Sequence, residues 1–141
     1  MNLMHEDHVV RYVKPKFVIK GDDGAALGVF PQAFELRPEE EYLSTSWREF
    51  YQGTRVEQLK KVRRDTTLQC ASSAVFASVN VGAFHSACTN CSRKVRIIHE
   101  PVEGIPAHSS IRQFPKDDQV LQTQLADLAS NDFMQVKELS L

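Results

Sequence analysis

A histidine stands at each end of a short Pro/Gly-rich loop in IIHEPVEGIPAHSSIRQF (97–114). Imidazole changes charge near neutral pH, so a facing pair can accept a proton on one ring and deliver one from the other. His99 ends one apolar run and His108 opens the next. A hairpin across Pro101, Gly104 and Pro106 would set the two rings roughly opposite each other at the strand ends. The alternative for His99, on one face with Val95 and Ile97, is a buried ring bonded to the backbone.

Just upstream, CTNC places Cys88 and Cys91 three positions apart. Two thiolates so spaced can share a tetrahedral zinc, with S–Zn near ~2.3 Å. The remaining ligands would come from His85, Cys70, His99 or His108. A single CxxC is half of a zinc-knuckle signature, and the other reading is plain thiols in a loop or helix. A redox dithiol would need the CxxC to open a helix directly after a strand, and the preceding apolar run already ends at Val81.

Two motifs bring resemblances to enzyme families. His108-Ser109-Ser110-Ile111 is similar to the His-x-Ser-hydrophobic box of two-histidine phosphoesterases, but no second such box occurs in the chain. YLSTSW (42–47) resembles the STS strand of ADP-ribosyltransferases. That resemblance implies that Arg11, on an earlier strand, holds NAD phosphates. It also implies that Glu100 or Glu103 steadies the oxocarbenium-like transition state. Ser44, Thr45 and Ser46 equally suit a strand-to-helix junction, with Ser46 as helix cap. Arg37 is a further candidate for a phosphate. The run KKVRR (60–64) could follow a nucleic-acid backbone in a salt-dependent way, although PEEE (38–41) and the neutral total favour a solvated face. GDDG (21–24) has too few oxygens for calcium and reads as a turn.

These residues need elements to position them. HVVRYVKPKFVIK (8–20) reads as strand interrupted by Pro15, followed by a hairpin to ALGVF (26–30). EYLSTS (41–46) is a short strand. Ser46 with Glu49, and Thr54 with Glu57, have capping-box spacing, which predicts helices over WREFYQ and over 55–64. AVFASVNV (74–81) alternates like a half-buried strand. GAFHSACTNCSRK is open between loop and helix. Strands follow at 94–100 and 108–114. A last amphipathic helix spans 117–129, capped by Asp117 or Asp118, with Val120, Leu121, Leu125 and Leu128 inward. The tail 130–141 extends that helix after a break at Asn131. The order predicts a single α+β domain over 1–141, with a mainly antiparallel sheet and about three helices.

The totals set the outer bounds. The 141 residues are 42% hydrophobic and 25% charged, with net charge −1 and pI near 6.5. That composition suits a globular chain with no global pull toward nucleic acid or anionic membrane. Three cysteines do not make a disulfide framework. The N-terminus lacks a basic and apolar leader, and no apolar run approaches ~20 residues. A cytoplasmic protein, away from membranes, is expected.

One resemblance spreads along the chain. RYVKP (11–15), AFELRPEEEYLS (33–44) with Trp47 and Glu49, HEP (99–101) and PAHSSI (106–111) resemble a group of small uncharacterised bacterial proteins. Their segments read Arg-Tyr-Val-x-Pro, Ala-Phe-x-Leu-Arg, Leu-Ser-x-x-Trp-x-Glu, His-Asp-Pro and His-Ala-x-Ile; here Glu100 and Ser109 replace the Asp and the Ala. The resemblance implies no named activity, and the CxxC is not part of it. It singles out Arg11, Arg37, Ser44, Trp47, Glu49, His99 and His108 as members of a polar pocket or a buried polar network.

Three functional readings follow. The first is a small bacterial accessory protein without catalysis of its own and without a cofactor, acting through a protein partner or as a homodimer. Its contact surface would be the apolar C-terminal segment 130–141, with Phe133, Met134, Val136, Leu139 and Leu141. The second is an enzyme on a phosphate-containing substrate, with Arg11 and Arg37 as binders and Ser44, His99 and His108 as catalytic groups. Its branches are an ADP-ribosyltransferase-like reaction on NAD and a histidine-pair phosphoesterase or nuclease. The third is a module stabilised by zinc on Cys88, Cys91 and His85.

Overall fold

The structure is a computed structural model that describes residues 1–66 and 69–140. Eight strands occur among them: β1 (His8–Val13), β2 (Val18–Lys20), β3 (Ala26–Val29), β4 (Tyr42–Trp47), β5 (Val75–Asn80), β6 (Arg96–His99), β7 (His108–Arg112) and β8 (Phe133–Gln135). Three α-helices join them: α1 (Arg55–Asp65), α2 (Val81–Asn90) and α3 (Gln119–Ala129). Six strands form one sheet in the order β6-β7-β4-β1-β5-β8, and β2 with β3 forms a separate hairpin. Every pairing is antiparallel. The α+β expectation therefore holds, with a mainly antiparallel sheet and three helices.

Alternation along the strands sorts apolar side chains onto two faces. Val9, Val13, Leu43, Ala77, Ile97 and Ile111 pack in one core with Phe84 of α2 and Leu121 and Leu125 of α3. Val10 and Phe76 face the other way and pack with Leu59 and Val62 of α1 and with Val136 and Leu139 of the tail. Each fully buried Val, Leu or Phe contributes about 1.5–3 kcal/mol relative to exposure. Because both faces are covered, β5 is buried from Val75 through Val79. The half-buried pattern expected there is wrong: Phe76 and Ser78, assigned to an open face, lie under the second core.

The helix starts came out unequally. Thr54 caps α1 in a complete capping box, with the Glu57 side chain returning to the Thr54 N–H. Ser46 caps nothing: it stays in β4, and only a 3-10 turn follows at Arg48–Phe50. The rival partner decides the matter, since Glu49 accepts from the His8 backbone N–H at 2.6 Å. GAFHSACTNC is helical, because the Asn80 side chain caps α2 by accepting from Ala83 N–H. Asp118 caps α3. Val120 points outward at 65% exposure, and Gln122 is buried in its stead at 6%.

The tail does not continue α3. It turns at Asn131 and Asp132, and β8 pairs with β5 through Val75↔Gln135 and Ala77↔Phe133. Val136 and Leu139 are buried in the second core, while Phe133 and Met134 are half-buried. Of the apolar side chains expected in the segment 130–141 as partner surface, Val136 and Leu139 are withdrawn into the chain's own core, while Phe133 and Met134 keep part of their surface exposed. Leu141 lies outside the described residues. Among those residues no helix is long and apolar enough to cross a membrane.

Candidate functional site

Strands β1 and β4 are neighbours for only part of their length. They pair at Val9↔Trp47 and Val10↔Ser46, whereas β1 pairs with β5 from His8 to Val13 and β4 pairs with β7 from Tyr42 to Ser46. Past Val10 and Ser46 the sheet splits. The Arg11 side chain bridges the gap: its Nε donates to the Ala33 carbonyl at 2.5 Å and its Nη1 to the Ser44 carbonyl at 2.7 Å. Ala33 is brought there by the 3-10 turn Pro31–Phe34, which follows the β2–β3 hairpin. Gly28 lets that hairpin lie close to the end of α3, since a Cβ there would meet Ser130 Oγ at 2.5 Å.

The split opens a cleft of about 460 Å³. Its polar lining includes Arg11, Lys14, Lys16 and Arg37 against Glu35 and Glu40, together with Ser44 and His108. Burial pushes the Arg11 guanidinium down to about 10, while Glu40 pulls it up and Arg37 adds to the fall. It remains a cation at neutral pH. Among the described residues no carboxylate lies within ion-pairing distance of it. Glu40 is held instead by Arg37, whose Nε and backbone N–H both donate to Oε1, at 3.1 and 3.0 Å. Desolvation works to raise the Glu40 carboxyl, but the bonds and charge of Arg37, with Arg11 behind, hold it below the ordinary value.

At the cleft Ser44 and His108 meet. Ser44 Oγ is 2.9 Å from His108 Nε2, and His108 Nδ1 is 2.8 Å from the Glu100 carbonyl. His108 is buried, with the edge of the Tyr42 ring against it at 5.8 Å between centroids.

The expected histidine pair does not form. His99 pairs with Ser109, and His108 pairs with Ser46, so the register is one residue away from placing the rings opposite. In a sheet, one residue of offset puts the second side chain on the other face. His99 stacks edge-on with Trp47 at 5.1 Å, and its Nε2 lies 2.7 Å from the Pro106 carbonyl. The seven residues singled out by the bacterial resemblance accordingly divide. Arg11, Arg37, Ser44 and His108 line the cleft; Trp47, Glu49 and His99 do not. Nor do Glu100 and Glu103 line it, and the Glu100 carboxylate is tied to Arg112 Nε at 2.7 Å.

The cysteines are also apart from it. Cys88 is buried in α2, and burial, with Cys91 and Asp118 near, pushes its thiol up to about 12. His85 packs against the His5 ring at 5.8 Å. Its imidazole is lowered by burial and then by His5. Among the described residues no three His, Cys, Asp or Glu side chains group as a metal would need. The basic run of α1 is partly engaged: Arg63 Nη1 donates to the carbonyls of Val136 and Leu139, at 3.2 and 2.6 Å, and Arg64 pairs with Asp65 at 2.9 Å.

A second polar group, of which only Glu49 was singled out in the sequence, lies at the other end of β1. His8 Nδ1 lies 2.7 Å from Glu49 Oε2, the buried Arg48 reaches both His8 and Asp132, and Arg55 donates to Asp132 at 2.8 Å. The chain separations reach 84 residues, so no local spacing signals it. Desolvation raises the Glu49 carboxyl, but the two bonds from His8 hold it below its ordinary value.

Compared with known families, curated proteins and solved structures, the chain matches no family model, no curated protein and no solved structure.

Proposed function

We propose that the protein binds a small anionic ligand, a phosphate- or carboxylate-bearing molecule, in the cleft between β1 and β4. One observation carries this reading: Arg11 is a half-buried cation lining a cleft, with no carboxylate within ion-pairing distance of it among the described residues and its neighbour Glu40 bonded to Arg37. A guanidinium has five N–H donors, and two of Arg11's are engaged by carbonyls, which leaves three for a ligand. A half-buried charge with donors left over gains from an anion through charge-assisted bonds. Lys14, Lys16 and Arg37 lend the rim further positive charge. Of the earlier readings, the phosphate-substrate one draws support from this geometry. The partner-protein reading loses Val136 and Leu139 from its surface.

The test is calorimetric titration with inorganic phosphate, with a nucleoside monophosphate and with NAD. Binding of at least one of them should weaken about tenfold or more in Arg11→Lys, which keeps the charge but not the fork of donors. No binding of any of the three to folded protein, or binding by folded Arg11→Lys and Arg11→Ala variants as tight as the parent's, would sink the reading.

A further inference from the structure

The cleft holds a hydroxyl and an imidazole in a defined proton arrangement. The Glu100 carbonyl beside His108 Nδ1 can only accept a hydrogen bond, so in the neutral ring Nδ1 carries the proton. Nε2 then keeps its lone pair, and Ser44 Oγ stands 2.9 Å from it as the donor. His108 is 6% exposed, whereas Ser44 is exposed to the cleft. Burial and the Tyr42 ring edge keep the imidazole from turning. A hydroxyl open to a cleft, a base behind it and a third group that sets the base's tautomer are the parts of an activated nucleophile. Arg11 adds a fixed cation, bonded to the carbonyl of that same serine.

We propose that Ser44 is a nucleophile activated by His108. Its substrates would be activated acyl compounds carrying an anionic group beside the acyl carbon, as an acyl phosphate does. This rests on the anionic-ligand reading of the cleft. Ser44 Oγ attacks the acyl carbon, and its proton passes to His108 Nε2. The bond from that carbon to the phosphate oxygen breaks. The leaving phosphate takes the proton from Nε2, with its charge against the Arg11 guanidinium. Water then attacks the acyl-serine, gives a proton to His108, and that proton returns to Ser44 Oγ as the acyl group departs as a carboxylic acid. The sum is acyl phosphate plus water to carboxylic acid plus phosphate.

The experiment has two arms on the full chain. An alkyl fluorophosphonate should label one peptide, and mapping should place the label on Ser44. Acetyl phosphate should be hydrolysed above the buffer rate, with Ser44→Ala at background. His108→Gln, which can still bond to Ser44 but is a poor base, should slow both reactions about 100-fold or more. Melting temperatures of the variants separate lost chemistry from lost folding. An unlabelled Ser44 in folded protein overturns the nucleophile, as does equal turnover by Ser44→Ala. Labelling without acetyl phosphate turnover overturns the substrate class. Arg11-dependent phosphate binding alongside an unlabelled Ser44 would remove this inference and leave the binding reading intact.

Discussion

A guanidinium even partly withdrawn from water costs free energy unless its charge and its N–H groups are matched. Arg11 satisfies part of that demand by replacing a missing stretch of sheet ladder, bonding to the Ser44 and Ala33 carbonyls. Glu49 meets the opposite requirement at the other end of β1, where His8 donates to it. Its folded pKa lies below the ordinary glutamate value of 4.5. The stability it contributes is therefore present above that value and is lost as pH falls through the lower folded pKa. Urea unfolding over a pH series should show Glu49→Gln losing stability near neutral pH and less of it on acidification than the parent. Cys88 yields a second prediction. Burial raises its thiol to about 12, and reactivity needs the thiolate and access. Iodoacetamide on the native protein should leave Cys88 unmodified while the half-exposed Cys91 reacts, as read by peptide mass.

At the scale of elements, the tail is the instructive case. Apolar residues at 133–141 look like unclaimed surface when only local pattern is considered. In the fold they complete the sheet through β8 and fill the core against α1. Leu139 is fully buried, so Leu139→Ala should cost about 2–5 kcal/mol, measured by denaturant unfolding. Unchanged stability would show that the tail does not close the second core. Thr54→Ala should cost about 1 kcal/mol through loss of the α1 cap, while Ser46→Ala should leave helical content unchanged by circular dichroism, because Ser46 caps no helix. The two sites had the same sequence spacing. They differ because Gly53, at φ 111°, frees the chain to turn into α1, whereas Glu49 is drawn off to His8.

For the whole molecule, alternation, capping residues and turn residues were sufficient to mark the first seven strands, α1, α3 and the α+β class, but not α2 or β8, since those signals act between residues a few positions apart. The Arg11, Arg37, Ser44 and His108 side chains were also legible as chemistry-bearing residues. Their grouping was not. It depends on β1 and β4 parting after Val10 and Ser46, which no local pattern encodes. The His99–His108 pair shows the converse: each residue type was a sound candidate, and a one-residue register placed them on opposite faces. Sequence by itself marked most of the strands, the helices at 55–64 and 117–129, and the side chains that can carry protons or charge. Tertiary structure alone decided which of them meet, because strand register and sheet splitting arise from burying both faces of the sheet at once.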